Sequence, residues 1–213
     1  MKRRSDLEPE ILVDGEVYSP SDDSFLLEDN LCINEGSYVL DIGTGTGILA
    51  IKAALLGARR VIAVDINLFA LRCTSRNSEL NGSAGQIAEL GGDLFKPFRE
   101  DVLFDVILFN PPYLQTKSSE YQRGWLEKAW AGGPTGRAVI DLFVDELPRH
   151  LRHGGMAFLL HPSYGVKTTI KKLKRFGMDV RIIAKKRLFF EQILALSIGF
   201  SGTDGSELLD KGD

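Results

Sequence analysis

The chain has 213 residues, 44% of them hydrophobic, which is typical of a single domain with a sizeable core. Its net charge of −3 excludes an overall basic surface for nucleic acid but leaves room for a local basic patch. The two cysteines and three histidines lack metal-ligand spacing, and no apolar leader or membrane-length run is present, so we expect no metal site and a cytoplasmic protein.

The first 16 residues are polar, and we expect this N-terminal segment to be loosely ordered. Residues 17–29 combine Ser19 and Ser21, which are suited to cap a helix, with an apolar face that begins at Phe25. The polar residues of this segment either cap the helix or cover a bound ligand. Spacing alone favours capping.

A glycine-rich turn organises the next part of the chain. Residues 39–42 are typical of a short buried strand, Gly43, Gly45 and Gly47 follow, and residues 48–56 predict an apolar helix. Glycines in such a turn let the backbone bend sharply and approach a ligand closely. Dinucleotide, phosphate and sulfonium cofactors all bind to loops of this kind, so the loop alone does not identify the ligand.

Three aspartates narrow the choice of ligand. Asp41 ends the first strand, where a fixed carboxylate would repel a pyrophosphate and attract an ammonium or sulfonium group. Asp65 ends the next strand, about twenty residues beyond the glycines, where carboxylates bind ribose hydroxyls. Asp93 follows a third short strand. Together they favour an adenosyl ligand with a positively charged end, such as S-adenosylmethionine, over a purely structural turn.

Alternating patterns continue along the chain and predict an α/β fold. The remaining predicted elements are a helix over 68–80, strands over 86–90 and 104–109, a helix over 135–151, a strand over 156–160, a helix over 166–176 and strands over 180–184 and 193–200. We therefore expect a Rossmann-like, mostly parallel seven-stranded sheet with helices on both faces and an antiparallel final strand. One domain would span 17–200, between the segment 1–16 and a flexible tail over 201–213.

The stretch Asn110-Pro111-Pro112-Tyr113 follows the fourth strand, at the same sheet edge as the aspartates. The Asn110 side-chain carbonyl and the Pro111 backbone carbonyl can each accept one hydrogen from a planar amino group. The prolines stiffen the turn, and Tyr113 can stack on an amide or a base. Methyl transfer to such a nitrogen needs positioning more than a strong base. A rigid turn without a catalytic role is the alternative.

These motifs resemble class I S-adenosylmethionine-dependent methyltransferases that act on amide or exocyclic nitrogens. Residues 17–27 and the stretch Trp130-Ala131-Gly132-Gly133-Pro134-Thr135-Gly136-Arg137 are similar to segments of the archaeal and eukaryotic HemK-like protein-glutamine methyltransferases. The resemblance extends over residues 11–200 and is to the short form of the family. Ser24 stands where relatives often have threonine.

The resemblance implies N5-methylation of the glutamine in the Gly-Gly-Gln loop of a class 1 translation termination (release) factor. It implies that Asn110 and Pro111 hold the glutamine amide, and that the 17–27 segment contacts the cofactor rather than only capping a helix. The expected catalytic residues are Asn110, Pro111, Pro112 and Tyr113. The expected S-adenosylmethionine contacts are Tyr18, Asp23, Ser24, Asp41, Gly43, Gly45, Gly47, Asp65, Ile66, Asp93, Leu94 and Asn110. Asp41 would face the methionine amine, Asp65 the ribose and Asp93 the adenine amino group.

The resemblance also implies a heterodimer with a small zinc-binding activator protein, which covers an apolar sheet edge near the third strand and holds the zinc itself. Two other functions stay open: an adenine-N6 methyltransferase acting on DNA or RNA, and a non-catalytic scaffold that binds S-adenosylmethionine. Basic residues between 167 and 187 form either a solvated face or a contact for RNA or an acidic partner. Trp125 and Trp130 either cover a substrate or anchor their loop.

Overall fold

The computed structural model describes residues 8–116, 124–189 and 191–202. Residues 1–7 of the predicted polar segment and residues 203–213 of the predicted tail lie outside this part of the chain. In chain order the elements are α1 (Asp22–Glu28), β1 (Tyr38–Ile42), α2 (Ile48–Leu55), β2 (Arg60–Asp65), α3 (Leu68–Leu80), β3 (Ile87–Gly91), β4 (Phe104–Phe109), α4 (Trp125–Trp130), α5 (Ala138–His150), β5 (Leu151–Pro162), α6 (Val166–Arg175), β6 (Met178–Arg187) and β7 (Gln192–Phe200).

The strands form one seven-stranded sheet in the order β3-β2-β1-β4-β5-β7-β6. Strands β1 to β5 pair in parallel, whereas β7 is antiparallel to both of its neighbours, β5 and β6. Strand β4 is an almost continuous apolar run at the centre of the sheet, and four successive residues at its carboxyl end are buried. The predicted sheet, with its antiparallel final strand, is confirmed.

Strands β1 to β3 are added toward one edge of the sheet, and β4 and the strands after it lie on the other side of β1. The strand order therefore reverses between the parallel neighbours β1 and β4. Right-handed crossovers on either side of such a switch point place their helices on opposite faces. Helix α2 contacts both α1 and α3, and α5 contacts α6. On the α5 side, Phe143 packs against Phe109 with ring centroids 4.8 Å apart. Helices on both faces are therefore confirmed, and the crevice at the switch point is where ligands bind in such sheets.

Helix α1 differs from the capping interpretation of its polar residues. Ser21 occupies the N-cap position, but its side chain makes no capping hydrogen bond. The buried polar residues of the helix are instead Asp23, Ser24 and Glu28. Glu28 forms an ion pair with Lys52 of α2, which fixes the helix to the domain. The prediction that Ser21 caps α1 is wrong, because the side chain does not reach the helix N–H groups.

Residues 10–12 of the N-terminal segment are bound to α3 and its C-cap rather than loosely ordered. Asn81 accepts from the backbone N–H of Glu10 at 2.8 Å and donates to its carbonyl at 2.7 Å. One helical turn earlier, Asn77 accepts from the N–H of Leu12 at 3.0 Å and donates to its carbonyl at 2.9 Å. Two side chains four residues apart on a helix thus bind alternate residues of an extended chain. The expectation of loose order is wrong for residues 10–12.

Strand β5 begins at Leu151, five residues before the predicted start at position 156. Leu151 pairs with Phe104 and Met156 with Val106, so three extra residues form a bulge on β5. Gly154 has a φ of +84° there, and a Cβ on Gly155 would lie 2.6 Å from the Asp105 carbonyl oxygen. Glycines at these positions therefore allow a bulge inside the strand, where the sequence pattern indicates a turn before it.

Helix α5 begins at Ala138 rather than at the predicted position 135, and α4 lies in a stretch without clear periodicity. No helix in the described ranges is long and apolar enough to cross a membrane. Within the same ranges, no group of three or more His, Cys, Asp and Glu side chains could hold a metal ion.

Candidate active site

The crevice at the switch point opens into a cavity of about 650 Å³, a size typical of small-molecule sites. Most residues predicted for the site line it: Tyr18, Asp23, Ser24, Gly43, Gly45, Asp65, Ile66, Asp93, Leu94, Asn110, Pro111, Pro112 and Tyr113. We call the wall formed by residues 43–46, Asp65, Asp93 and Leu94 the glycine-loop end, and the wall formed by residues 110–113 with Ser24 the Asn110 end.

Asp65 ties the glycine turn to the start of α3. Its Oδ2 accepts from the backbone N–H of Gly45 at 3.0 Å, and its Oδ1 accepts from that of Asn67 at 2.8 Å. Asn67 caps α3 in turn, accepting from the Phe69 N–H at 2.9 Å. Burial raises the pKa of Asp65, and hydrogen bonds from the backbone N–H groups of Asn67, Gly45 and Ile66 oppose that shift. The carboxylate is therefore held rigidly at the cavity wall.

Gly47 does not line the cavity, although it is predicted to bind the cofactor. It is the N-cap of α2 with a φ of +84°, and a Cβ there would lie 2.9 Å from Cγ2 of Thr74 on α3. The glycine is therefore needed for left-handed backbone and for close contact between α2 and α3. Its observed role is in packing, so no cavity contact supports its predicted role.

Asp41 is also absent from the cavity wall, because its side chain is buried beneath the glycine turn. Its Oδ2 accepts from the Thr44 hydroxyl at 2.7 Å, whereas its Oδ1 has no hydrogen-bond partner. Burial, with a smaller contribution from the negative charge of Asp65, raises the pKa of Asp41 to about 7. The predicted contact of Asp41 with an amine is therefore not supported by an exposed carboxylate.

Leu94 has a φ of +49° and is the non-glycine residue with positive φ in the described part of the chain. Left-handed backbone costs an L-residue roughly 1–2 kcal/mol, and such strain concentrates at functional sites. The turn before it is tight, because a Cβ on Gly92 would lie 2.0 Å from Pro97 Cγ. Asp93 forms a largely exposed ion pair with Lys96 at 2.6 Å. The predicted pair Asp93 and Leu94 therefore lies on a strained turn at the cavity wall.

At the Asn110 end, one side chain has an unused buried acceptor. Asn110 Nδ2 donates to Ser24 Oγ at 3.2 Å. Its Oδ1 is buried and has no hydrogen-bond partner. An unsatisfied buried acceptor costs about 1–3 kcal/mol, and it is commonly satisfied by a ligand or by water. Asn110 is therefore set to accept a hydrogen bond from a molecule in the cavity.

Tyr113 is largely buried and lines the cavity beside Asn110. Burial raises the pKa of the Tyr113 phenol, and the negative charges of Asp23 and Glu191 add to the effect. The phenol therefore stays neutral and cannot act as a base at ordinary pH. It offers an aromatic face and an O–H group to the cavity.

A glycine-rich segment supports the Asn110 end, and sequence reasoning assigns it no role. A Cβ on Gly136 would lie 2.3 Å from the Tyr113 carbonyl oxygen and 2.4 Å from the Tyr164 hydroxyl. Tyr164 donates its hydroxyl hydrogen to the same Tyr113 carbonyl. A Cβ on Gly132 would lie 2.8 Å from the Tyr113 carbonyl carbon. The three glycines of the stretch 130–137 are the sequence feature that could have indicated this close packing.

Helix α4 adds an aromatic wall to the cavity through Trp125 and Trp130. The Lys128 ammonium lies 4.5 Å from the centre of the Trp125 ring, within cation–π range. The Trp130 carbonyl accepts from the Leu114 N–H at 3.0 Å, which anchors the chain just after Tyr113. Trp130 thus anchors its loop and also borders the cavity.

The chain is similar to methyltransferases of known name. The family model for ribosomal protein L11 methyltransferase (PrmA) matches residues 25–111. A candidate protein N5-glutamine methyltransferase of Methanocaldococcus jannaschii is 41% identical over 183 residues, which cover 85% of this chain and 91% of that protein. Human Methyltransferase HEMK2 is 34% identical over 155 residues, which cover 68% of this chain and 72% of HEMK2.

Solved structures extend the similarity to the fold. The E. cuniculi Mtq2-Trm112 complex, described as responsible for methylation of the eRF1 translation termination factor, matches with a TM-score of 0.66 and 26% identity, covering 87% of this chain and 99% of that chain. A Pyrococcus furiosus methyltransferase matches with a TM-score of 0.68 and 21% identity, covering 90% and 89%. The chain therefore belongs to the HemK-like protein N5-glutamine methyltransferase family, whose methyl donor is S-adenosylmethionine.

Proposed function

We propose that this enzyme transfers a methyl group from S-adenosylmethionine to the glutamine side-chain nitrogen in the Gly-Gly-Gln loop of a class 1 translation termination factor. The observation that carries the proposal is the buried, unpartnered Oδ1 of Asn110, a residue that lines the cavity. The substrate class is supported by the relatives, which include a release factor glutamine methyltransferase of Rhodopirellula baltica and the Mtq2-Trm112 complex.

The glycine-loop end suits the adenosyl part of the cofactor. Gly43 and Gly45 leave room for close approach, and the fixed carboxylate of Asp65 can accept from ribose hydroxyls with its remaining lone pairs. Asp93 and the strained turn at Leu94 would hold the adenine, with Ile66 against its face. Bound there, S-adenosylmethionine supplies an electrophilic methyl group. The donor set of carboxylates and backbone groups fits a cationic ligand rich in hydroxyls.

The Asn110 end suits a primary amide. A glutamine amide is planar and its nitrogen carries two hydrogens, which Asn110 Oδ1 and the Pro111 carbonyl would accept. Fixing both hydrogens directs the nitrogen's out-of-plane face toward the glycine-loop end, and positioning of this kind contributes several kcal/mol. The neutral Tyr113 ring and Pro112 would enclose the amide. A proton leaves the nitrogen late, so no strong base is needed.

Tyr18, Asp23 and Ser24, which line the cavity, would contact the methionine part of the cofactor. Asp41 would act indirectly, by holding Thr44 and the turn above it. Gly47 would act through the packing of α2 on α3. Residues 17–200 would form the methyltransferase domain, and a cytoplasmic location would match a substrate that acts in translation.

A small zinc-binding partner protein is part of the proposal, at the edge formed by β3. The opposite edge strand, β6, carries Arg181, Lys185 and Arg187, and charges of this kind protect exposed edges from pairing. Strand β3 instead exposes Leu90, and the Leu68 side chain of α3 beside it is 61% exposed. An edge strand with a single charged residue, Glu89, and with exposed leucines on it and beside it is suited to strand addition by a partner. The Mtq2-Trm112 complex supports a two-chain assembly.

The partner is testable by substitution at this edge. Leu90→Glu should abolish co-purification of the small zinc-binding protein, because a charge would replace apolar surface in the contact. Leu103→Glu is the matched control, since Leu103 is 41% exposed but precedes the central strand β4. Equal loss of the partner with both variants would argue against the β3 edge.

The substrate is tested with labelled S-adenosylmethionine. The enzyme, with and without the small partner, is offered the termination factor, its Gly-Gly-Gln→Gly-Gly-Ala variant, and duplex and single-stranded nucleic acid. Label on the intact termination factor alone is the expected result. Label on nucleic acid would favour the adenine-N6 alternative, whose amino group has the same planar geometry, and cofactor binding without any label would favour the scaffold.

A further inference from the structure

Helix α1 reaches the Asn110 end through a single hydroxyl group. Ser24 Oγ lies 3.2 Å from Asn110 Nδ2 and also 3.2 Å from Oδ1 of Asp23. The same Asp23 oxygen accepts from the Ser24 backbone N–H at 2.6 Å. Ser24 is 5% exposed and Asp23 is 6% exposed, so water competes little for these bonds. The contact joins residues 86 positions apart in the chain.

The hydrogen count of these groups gives the chain of bonds a direction. A carboxylate only accepts, so the single hydroxyl hydrogen of Ser24 goes to Asp23. The Ser24 oxygen can then only accept a hydrogen bond from Asn110, and the group of Asn110 that can donate one is its NH2 group. With Nδ2 turned toward α1, Oδ1 is the atom of the amide that is left without a partner.

We propose that Ser24 is a positioning residue that fixes the amide orientation of Asn110 so that its oxygen, not its NH2 group, faces the substrate. This inference rests on the proposed function, in which Asn110 Oδ1 accepts a hydrogen from the glutamine amide. The two orientations of an asparagine amide have nearly the same shape, so packing alone does not choose between them. The hydrogen bond to the Ser24 hydroxyl favours the orientation in which Nδ2 of Asn110 faces α1.

The orientation matters because the reversed amide would oppose the substrate. With NH2 toward the cavity, two donors would meet the N–H groups of the glutamine, and no acceptor would hold the nitrogen. Ser24→Ala removes the acceptor for Nδ2 and lets both orientations populate. Ser24→Thr keeps a hydroxyl at the same place and should restore the preference.

A substrate-free measurement tests the orientation directly. In 15N-labelled enzyme, the carboxamide signals of Asn110 are assigned by their loss in Asn110→Asp, and the exchange of the Nδ2 hydrogens with water is measured. We expect exchange to become about fivefold to tenfold faster in Ser24→Ala, as for loss of one hydrogen bond, and to slow again in Ser24→Thr. Identical exchange rates and chemical shifts in wild type and Ser24→Ala would overturn the proposal.

A kinetic cycle tests whether Ser24 acts through Asn110. At saturating cofactor, Ser24→Ala should lower kcat about fivefold to tenfold and Ser24→Thr should restore it. In the Asn110→Ala background, Ser24→Ala should not lower kcat further, since the amide that Ser24 orients is absent. Equal costs in both backgrounds would show that Ser24 acts independently and would overturn the proposal.

Ser78→Ala is the matched control, because Ser78 is a buried serine on α3 whose hydroxyl donates to the Ser75 carbonyl at 2.7 Å. It should lower Tm without lowering kcat. If wild-type enzyme does not label the termination factor, the proposed substrate is what fails, and the exchange measurement still decides the role of Ser24.

Discussion

The two ends of the cavity differ in how their polar groups are satisfied. At the glycine-loop end, both oxygens of Asp65 already accept from backbone N–H groups. At the Asn110 end, Oδ1 of Asn110 has no partner, although Nδ2 of the same amide does. A ligand group gains little from an acceptor that is already bonded and more from one whose desolvation is uncompensated. Affinity at the glycine-loop end is therefore shared among several contacts, of which Asp65 is one. At the Asn110 end, a single atom, Oδ1 of Asn110, makes the main contribution.

The largest effect should follow from Asn110→Ala, which removes that atom. We expect methyl transfer to lose roughly 2–4 kcal/mol of transition-state stabilisation, by analogy with deletion of one oriented polar group. Cofactor affinity measured by calorimetry should stay close to wild type. Asn81→Ala is the control, since Asn81 bonds the N-terminal segment away from the cavity. Near-normal turnover of Asn110→Ala would contradict the inference that the Asn110 end acts mainly through Oδ1 of Asn110.

Gly136→Ala should disturb the Asn110 end through the loop that packs against Tyr113. The added Cβ would meet the Tyr113 carbonyl and the Tyr164 hydroxyl, and neither can move without shifting the loop. We expect a fall in the free energy of unfolding of about 2–3 kcal/mol and a loss of turnover with little change in cofactor affinity. Gly154→Ala carries a similar positive-φ penalty in open space, at φ +84° with no atom within 4 Å. Equal effects of the two substitutions on turnover would contradict the supporting role of the 130–137 segment.

Asp65→Ala should act at the glycine-loop end alone. It removes the acceptor for Gly45 and Asn67 together with the proposed ribose contact. Cofactor binding should weaken by about 1–3 kcal/mol, as for loss of charge-assisted hydrogen bonds. At saturating cofactor the turnover should recover most of its wild-type value. An unchanged cofactor Kd in calorimetry would exclude Asp65 from the ribose.

A pH dependence of stability should arise beneath the glycine turn. Because the pKa of Asp41 is about 7 in the fold against an ordinary 3.8, the folded chain binds more protons than the unfolded chain between these values. The contribution of Asp41 to the free energy of unfolding is therefore complete below pH 4 and is lost as pH rises toward 7. Asp41→Asn should remove this slope and raise the free energy of unfolding at pH 8 above that of the wild type. Urea unfolding from pH 4 to 8 measures it, and a slope that persists in the variant would assign it to other groups.

Local sequence signals are sufficient for the elements that end at a cap or a break. Helix α3 has the predicted bounds because Asn67 caps it and Asn81-Gly82 ends it. Strand β4 also has its predicted bounds, since a short apolar run between polar residues is typical of a strand that is buried on both faces of a parallel sheet. The bulge of β5 could not be predicted, because glycines in a bulge and in a turn give the same local pattern.

The site shows the same limit. Resemblance and spacing bring Asp65, Asp93 and Asn110 to one sheet edge, since the carboxyl ends of parallel strands share it. The bond between Ser24 and Asn110 and the bond between Tyr164 and Tyr113 join residues 86 and 51 positions apart. No periodicity encodes such contacts, because they depend on how loops from different strands meet. The burial of Asp41 away from the cavity likewise depends on one side-chain direction.

The position of β7 constrains the order in which the sheet can be completed. It is the seventh strand along the chain but lies between β5 and β6. While the ribosome is still synthesising Gln192–Phe200, β6 has no strand to pair with, and the apolar β5 is an open edge. Chains at that stage expose a surface prone to pairing with other chains. The sheet is therefore completed only when its last strand, β7, is inserted between β5 and β6.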